Sequence, residues 1–434
     1  MKARSKFEVS LPPADKWNGK INGTGAGGAA GYISADDLNE NLSLGYATAA
    51  NDTGHVGAKP SPWFDISWAL DPFSGKFNVD AIKNFGYRST HLMTVAAKDI
   101  IKAYYNQPPM HSYFTGCSTG GRMALSEAQR YPQDYNGIVA GAPANYYMNM
   151  WPGEFYPSTL VRDMDVKALI GKLDMIQKAA VAQCDGLDGK VDGLIDDPRV
   201  CPFDARSLLC AQGQDTAQCL TEQQAKVVNL IYKGLRDPYT GEQIWPGYEP
   251  GSESEWAGHL NPPPLQVGFV KYMIFKDPNA DASTFNFSDL RDYTAMNKTR
   301  ELMHPIMDAT DPDISDFTRH GGKLLMYHGW ADPNIAPTNA INYYESAKQA
   351  IGTEAHDSVR LFMVPGMGHC TGGAGFHSID YLGALEKWVE AGVRPDQLLG
   401  TNPTSGKSRP ICAYPKVAKF RWGSLDDPAA FVCE

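Results

Sequence analysis

The sequence predicts an α/β fold, in which a mostly parallel sheet is flanked by helices on both faces. Short apolar runs alternate with helical periodicity over residues 7–144, and the same alternation resumes after residue 311. Three of these runs end close to a serine, an aspartate and a histidine, Ser118, Asp332 and His369, residue types that can act together in nucleophilic catalysis. We therefore expect one catalytic core, built from residues 1–144 and 311–434.

The N-terminal part of this core alternates between strand and helix patterns. The segment 79–105 is predicted as a helix, with Val95, Ile100 and Ile101 on its apolar side. Apolar or alternating runs predict strands at residues 7–11, 20–23, 46–50, 110–115 and 137–142. A further helix is expected after residue 121, and it follows the strand at residues 110–115 in the chain.

A serine stands between that strand and that helix, in the pattern Gly-x-Ser-x-Gly at residues 116–120. This pattern is typical of a nucleophile elbow. A serine hydroxyl needs a histidine to remove its proton and a carboxylate to orient that histidine. Asp332 and His369 follow later strands, and the chain order Ser, Asp, His is that of the α/β-hydrolases. We predict a triad of Ser118, His369 and Asp332.

A glycine-rich turn at residues 25–31 follows an early strand. In such hydrolases this turn gives one backbone N–H to the oxyanion hole, and the residue after the nucleophile gives the other. We expect Thr119 as one donor and Gly28 as the second, with Gly27 as the alternative. A nucleotide site is disfavoured because no helix and no suitably placed acidic residue follow, but a simple flexible turn stays open.

Residues 145–310 interrupt the α/β pattern and are rich in tyrosine, tryptophan, proline and cysteine. We expect this segment, called the lid below, to be an insertion over the carboxyl edge of the sheet. Its aromatic residues at 146–156 and 245–275 either stack on an aryl ring of the substrate or form the lid's own core.

An acidic loop lies inside the lid at residues 185–197. Calcium requires six to eight oxygen ligands on a sharply turning backbone. The loop predicts one structural Ca²⁺, held by the carboxylates of Asp185, Asp188 and Asp192 and the carbonyls of Lys190 and Leu194. It is not an EF-hand, because the spacing differs, and a solvated acidic turn without an ion remains the alternative.

Eight cysteines are present, and none forms a Cys-x-x-Cys pair. Cys117 and Cys370 each neighbour a predicted catalytic residue, so a disulfide between them would hold the nucleophile against its base. The remaining cysteines are expected to pair locally, as Cys184–Cys201, Cys210–Cys219 and Cys412–Cys433. Disulfides indicate an oxidising compartment. We expect a secreted or periplasmic protein whose signal peptide is absent from this chain.

The formal net charge of −10 gives no reason to expect a nucleic-acid partner. No apolar run reaches the length of a transmembrane helix, so no membrane partner is expected. The sequence does not indicate an oligomeric state.

These motifs resemble the tannase and feruloyl esterase family of α/β-hydrolases. The resemblance rests on Cys117-Ser118, Asp332 and His369-Cys370, on the elbow at 116–122, and on residues 52–55, 130–132 and 136–143. The acidic loop also has the spacing of the family's calcium site. The resemblance implies a secreted serine esterase that cleaves small aromatic esters through an acyl-enzyme.

Within that family we favour hydroxycinnamoyl (feruloyl-type) esters, including those on plant cell-wall sugars. Galloyl esters, as in tannases, and mono(2-hydroxyethyl) terephthalate are the alternatives. The terephthalate branch uses a lid arginine, and neither Arg236 nor Arg291 aligns with that role. A catalytically inactive, calcium-stabilised binding module is the alternative from another class of protein, and the intact triad argues against it.

Overall fold

The computed structural model describes residues 4–214 and 216–434. In chain order its strands are β1 (Phe7–Ser10), β2 (Lys20–Thr24), β3 (Ala47–Asn51), β4 (His111–Cys117), β5 (Gly137–Gly141), β6 (Leu235–Arg236), β7 (Gln243–Trp245), β8 (Lys323–Gly329), β9 (Val359–Val364), β10 (Gln397–Thr401), β11 (Ser408–Cys412), β12 (Ala418–Phe420) and β13 (Phe431–Cys433).

The α-helices are α1 (Ala35–Ser43), α2 (Val79–Lys83), α3 (Ser89–Tyr105), α4 (Thr119–Arg130), α5 (Tyr147–Asp163), α6 (Leu173–Cys184), α7 (Glu222–Lys233), α8 (Ala257–Leu260), α9 (Pro264–Phe269), α10 (Leu290–Met307), α11 (Ser315–Arg319), α12 (Thr338–Ile351), α13 (Ala355–Ser358) and α14 (Tyr381–Ala391). None of the helices among the described residues is long and apolar enough to cross a membrane.

Seven strands form the central sheet, in the order β1-β3-β2-β4-β5-β8-β9. Only β1 runs antiparallel to its neighbour, and the other pairings are parallel. Every residue of β5 is buried, as expected for a central parallel strand covered on both faces. Because parallel strands end at one edge, Ser118 after β4, Asp332 after β8 and His369 after β9 all follow the carboxyl edge. The predicted α/β-hydrolase fold is confirmed.

The predicted helix over residues 79–105 differs from the structure in two ways. A π-helical turn at Asn84–Arg88 separates α2 from α3. The predicted apolar face was also wrong for two residues, because the side chains of Val95 and Ile100 are exposed. The buried face of α3 instead contains Met93, Ala97 and Ile101. These three residues and two buried threonines recur at helical spacing. A pattern that considers only apolar residues leaves the threonines out and so misplaces the buried face.

The chain between β5 and β8 is mostly helical, with the short strands β6 and β7, and contributes to two apolar clusters. One cluster consists wholly of residues from 161 to 260, so this part of the insertion has a core of its own. The other joins α5, α9 and α10 to Ile66, Trp68 and Phe85 of the catalytic core. The insertion is therefore packed firmly against the core. The lid boundaries at 145 and 310 remain predictions.

Candidate active site

The serine of the elbow sits in an unusual backbone conformation. Ser118 has φ 62° and ψ −124°, between the end of β4 and the first residue of α4. Such a conformation is strained for a residue with a side chain and is characteristic of functional sites. The turn also requires glycine, because a Cβ on Gly116 would lie 2.5 Å from backbone atoms of Gly120. A Cβ on Gly25 would meet Gly120 Cα at the same distance, so the glycine-rich turn packs directly on the elbow.

Asp332 and His369 are brought together by neighbouring strands β8 and β9. His369 Nδ1 donates to Asp332 Oδ2 at 2.8 Å. The other carboxylate oxygen accepts the backbone N–H groups of Asn334 at 2.8 Å and Ile335 at 3.0 Å. Burial raises the pKa of Asp332, but the attraction of His369 and the hydrogen bonds from His328 and His369 outweigh it and bring the pKa well below its usual range. Asp332 therefore stays ionised.

All four predicted cysteine pairs are bonded. One of these disulfides links the segment that carries Ser118 to the segment that carries His369. Cys117 and Cys370 form a disulfide with their Cα atoms 5.9 Å apart. It joins the residue before Ser118 to the residue after His369. Among the described residues, Ser118 Oγ makes no hydrogen bond with His369, and such contacts often tighten only once substrate is bound. The other bonds are Cys184–Cys201, Cys210–Cys219 and Cys412–Cys433.

The expected oxyanion donors lie beside the elbow. Thr119 Oγ1 donates to the carbonyl of Gly28 at 2.6 Å, which fixes the glycine-rich turn to the start of α4. The N–H of Gly27 is used internally, since it donates to Tyr32 Oη at 3.2 Å. Gly28 has φ 60°, and a Cβ there would lie 2.4 Å from the carbonyl oxygen of Trp63. This arrangement favours Gly28 over Gly27 as the second donor.

Several buried polar residues around Asp332 were not predicted. His328 Nε2 lies 3.1 Å from Asp332 Oδ2. The lid reaches the same carboxylate through His259, whose Nε2 is 2.7 Å from Asn334 Oδ1. Burial, with the nearby charge of Asp332, raises the pKa of Glu154 on α5 well above its usual range. Of these residues, only His328 could have been found from the sequence, because it lies four residues before Asp332 at the end of a predicted strand.

The aromatic residues of the lid mostly form its core. Trp151, Trp245 and Trp256 are almost fully buried. Trp151 stacks on Phe269 with ring centroids 5.0 Å apart, inside the cluster that joins lid and core. Of the two interpretations open from the sequence, packing accounts for these three tryptophans.

The carboxylates predicted to bind calcium in the acidic loop are engaged by groups of the chain itself. Both oxygens of Asp185 accept backbone N–H groups, from Asp192 at 3.0 Å and Gly193 at 2.8 Å. The ammonium of Lys190, which was expected to contribute only its carbonyl, points into the loop and pairs with Asp188 and Asp196. A divalent cation there would face a buried positive charge. As arranged, the predicted ligand set does not fit calcium.

Within residues 4–214 and 216–434, one group of side chains has the convergence of a metal site. Ligand atoms of His91, Glu127 and Asp134 lie within 4.8 Å of one another. His91 Nδ1 is 2.7 Å from Asp134 Oδ2, and Lys98 Nζ contacts the carbonyl of Asp134. Burial raises the pKa of Glu127 well above its usual range. A neutral glutamic acid beside the hydrogen-bonded side chains of His91 and Asp134 accounts for this cluster without a metal ion.

Comparison with known proteins places the whole chain in one family. Residues 1–434 match the family model described as "Tannase and feruloyl esterase". The chain is 31% identical over 456 residues to a probable feruloyl esterase B-1 of Aspergillus flavus, covering 98% of this chain and 83% of that protein. It is 34% identical over 486 residues to an uncharacterized esterase of Xanthomonas campestris, covering 98% and 81%.

Solved structures agree with the sequence comparison. The crystal structure of feruloyl esterase B from Aspergillus oryzae superposes with a TM-score of 0.88 at 29% identity, covering 99% of this chain and 87% of that one. Tannin acyl hydrolase from Aspergillus niger gives a TM-score of 0.84 at 23% identity, covering 99% and 83%, and this likeness shows the fold.

The sheet order, the strained serine elbow and these relatives define a carboxylic ester hydrolase of the α/β-hydrolase fold. Within that class, the chain belongs to the tannase and feruloyl esterase family.

Proposed function

We propose that this enzyme hydrolyses aromatic carboxylic esters through an acyl-enzyme on Ser118, with hydroxycinnamoyl esters as its preferred substrates. Esters of this kind on plant cell-wall sugars would be its natural targets. The relatives named feruloyl esterase B, at 31% identity over nearly the whole chain, support this substrate class. The mechanism rests on the geometry of the chain itself.

In the proposed reaction Ser118 Oγ attacks the ester carbonyl while His369 Nε2 takes the hydroxyl proton. Nε2 is the nitrogen left for this purpose, because Nδ1–H donates to Asp332 Oδ2 at 2.8 Å. The N–H groups of Thr119 and Gly28 stabilise the oxyanion. His369 then protonates the departing alcohol, and a water molecule, activated by the same imidazole, releases the aromatic acid.

The observation that carries the proposal is a hydrogen bond and a disulfide that occur together at the carboxyl edge of the sheet. A hydrogen bond orients His369 on Asp332, and a disulfide connects the neighbours of His369 and Ser118. Nucleophile, base and orienting carboxylate are thereby held by one covalent and hydrogen-bonded unit. A binding module would have no need of this arrangement.

The test is the Ser118→Ala variant assayed on methyl ferulate. We expect a loss of roughly 10⁴-fold or more in kcat, with an unchanged melting temperature. Ser346→Ala, an exposed serine on α12, serves as the control and should keep full activity. A serine-reactive phosphonate should add to the wild type and to Ser346→Ala but not to Ser118→Ala. Substantial turnover by Ser118→Ala would disprove the assignment.

Substrate preference is tested separately with purified enzyme. We expect kcat/KM to be highest for methyl ferulate and methyl p-coumarate, and lower for methyl gallate and the terephthalate monoester. If methyl gallate gives the highest value, the enzyme is a tannase. If the terephthalate monoester does, it belongs with that branch, and the serine mechanism would stand in either case.

We also propose that the enzyme works in an oxidising compartment, outside the cell or in a periplasm. The support is the set of four disulfides, which leaves no free thiol among the described cysteines. Expression in a reducing cytoplasm should give protein of low specific activity, which oxidative refolding restores. Full activity with eight free thiols would contradict this proposal.

A further inference from the structure

The acidic loop at residues 185–197 encloses a lysine. The side chain of Lys190 has no exposed surface, and its ammonium forms an ion pair with the carboxylate of Asp188. The same Nζ lies 2.8 Å from Asp196 Oδ2 and 3.8 Å from Asp192 Oδ2. Three carboxylates of the loop therefore surround one positive charge.

A second cation reaches the loop from outside the lid. Arg409 on β11 pairs with Asp192, and its guanidinium is itself only 4% exposed. It lies over the rings of Phe376, at 4.6 Å, and Phe431, at 4.5 Å, which keeps it in place. Arg199 pairs with Asp197 at the end of the loop. Three cations of the chain thus contact four of the loop's five aspartates.

The fifth, Asp185, is held by the backbone. Its two oxygens accept the N–H groups of Asp192 and Gly193, which closes the loop on itself. Both oxygens of this carboxylate therefore have hydrogen-bond partners within the chain. The mutual repulsion of the loop's aspartates is therefore relieved by groups of the chain itself.

The loop also contacts the element that carries the catalytic histidine. Leu194 packs in the apolar cluster that includes Tyr327, Val364 and Met367. A Cβ on Gly366 would lie 2.5 Å from Leu194 Cδ2, so the lid loop touches the turn between β9 and His369 directly. Whatever keeps this loop folded also supports that turn.

We propose that the Lys190 ammonium, assisted by Arg409, takes the place of a divalent cation in this loop. The loop therefore stays folded, and the lid stays packed against the catalytic core, without bound calcium. The chain has the carboxylate spacing of a calcium loop, but it supplies the counter-charge from its own side chain. Calcium would have to displace a buried ammonium from three carboxylates before it could bind.

The first experiment uses the wild-type enzyme. It is dialysed against calcium-containing and then metal-free buffer, its calcium content is measured by elemental analysis, and its melting temperature is recorded with chelator and with added CaCl₂. We expect well under one calcium per chain and the same melting temperature in both conditions. One calcium per chain, with a lower melting temperature in chelator, would overturn the proposal.

The second experiment removes the ammonium with Lys190→Met. Breaking a buried ion pair leaves uncompensated carboxylates, so the melting temperature in chelator should fall by on the order of 5 °C. Added CaCl₂ should restore part of that loss in this variant alone, because the freed carboxylates can then bind the ion. An unchanged melting temperature for Lys190→Met would contradict the role of Lys190.

Two further variants serve as controls. Lys178→Met removes an exposed lysine from α6, the helix that precedes the loop, and should leave the melting temperature unchanged with and without calcium. Lys190→Arg keeps the positive charge and should stay independent of calcium. If Lys190→Met does not fold, the wild-type calcium content and melting temperatures still decide the question.

Discussion

His328 donates a hydrogen bond to Asp332, the carboxylate that orients His369, the proposed catalytic base. Its Nε2 lies 3.1 Å from Asp332 Oδ2 and 2.9 Å from the carbonyl oxygen of Ile335. Both partners are acceptors, so Nε2 carries the proton. Asp332 Oδ2 is therefore shared by two imidazoles, one on each side, and His328 has no exposed surface.

The first prediction follows from this contact. Replacing His328 with leucine should lower kcat roughly 10²-fold while KM changes little, because Asp332 loses a fixed donor and His369 loses its precise orientation. His328→Gln, whose amide can still donate, should recover part of the rate. Steady-state kinetics on methyl ferulate, with melting temperatures for both variants, provides the measurement. Equal activity of His328→Leu and wild type would show that the contact has no positioning role.

Local sequence patterns were sufficient for much of the site. The elbow at residues 116–120 is contiguous, and the strands before Asp332 and His369 are strongly apolar, so fold and triad candidates could be proposed together. The Cys117–Cys370 pair followed from the position of both cysteines beside those residues, and the other three pairs followed from their local spacing. Val95 and Ile100 were misplaced because α3 buries two threonines, Thr90 and Thr94, which an apolar pattern does not count.

Contacts between distant segments could not be predicted. The hydrogen bond between His259 and Asn334 joins residues 75 positions apart, and neither residue stands in a recognisable motif. The direction of the Lys190 side chain likewise depends on Asp196 and on the packing of Leu194 against Gly366. Side-chain direction in a loop is set by such tertiary neighbours and not by the local pattern.

The second prediction concerns the disulfide beside the triad. It closes a loop of 253 residues, and its loss should cost about 5 kcal/mol in unfolding free energy on a chain-entropy estimate. The Cys117→Ala, Cys370→Ala double variant should also lose most of its kcat at temperatures where it remains folded, because nucleophile and base are no longer tied together.

The matched control for this prediction is the Cys412→Ala, Cys433→Ala double variant, which opens a loop of 21 residues far from the triad in sequence. It should lose about 3 kcal/mol of unfolding free energy but keep its kcat. Denaturant unfolding and initial rates are compared for the two variants. If kcat falls in proportion to the lost unfolding free energy in both double variants, the Cys117–Cys370 disulfide has no specific role in catalysis.

The third prediction concerns the oxyanion loop. Thr119→Val keeps the shape of the side chain but removes the hydrogen bond to the carbonyl of Gly28, which is 2.6 Å long. The glycine-rich turn should then position the N–H of Gly28 less accurately. We expect kcat to fall about 10-fold, which is less than the loss caused by removing an oxyanion donor itself. Thr119→Ser retains the hydroxyl and should stay close to wild type. Loss of rate in Thr119→Ser alone would contradict this explanation.

The last prediction is a dependence of stability on pH that originates at His55. Its Nε2 donates to the carbonyl of Ala29 at 2.9 Å, and its ring stacks on Trp68 with centroids 4.3 Å apart. Burial lowers the pKa of His55 from 6.5 to about 4, and the hydrogen bond to Ala29 offsets only part of this effect. Between these values the unfolded chain binds a proton that the folded protein does not. The stabilising contribution is thus complete above pH 6.5 and is lost as the pH falls to about 4.

The size of this effect is about 3 kcal/mol of unfolding free energy, since each pKa unit corresponds to 1.36 kcal/mol. We expect His55→Gln to be less stable than wild type near neutral pH, with a difference that narrows as the pH approaches 4. Urea unfolding of wild type and His55→Gln across this pH range provides the measurement, and comparison of the two proteins cancels the titration of all other groups. A difference between His55→Gln and wild type that does not change with pH would place the titration elsewhere.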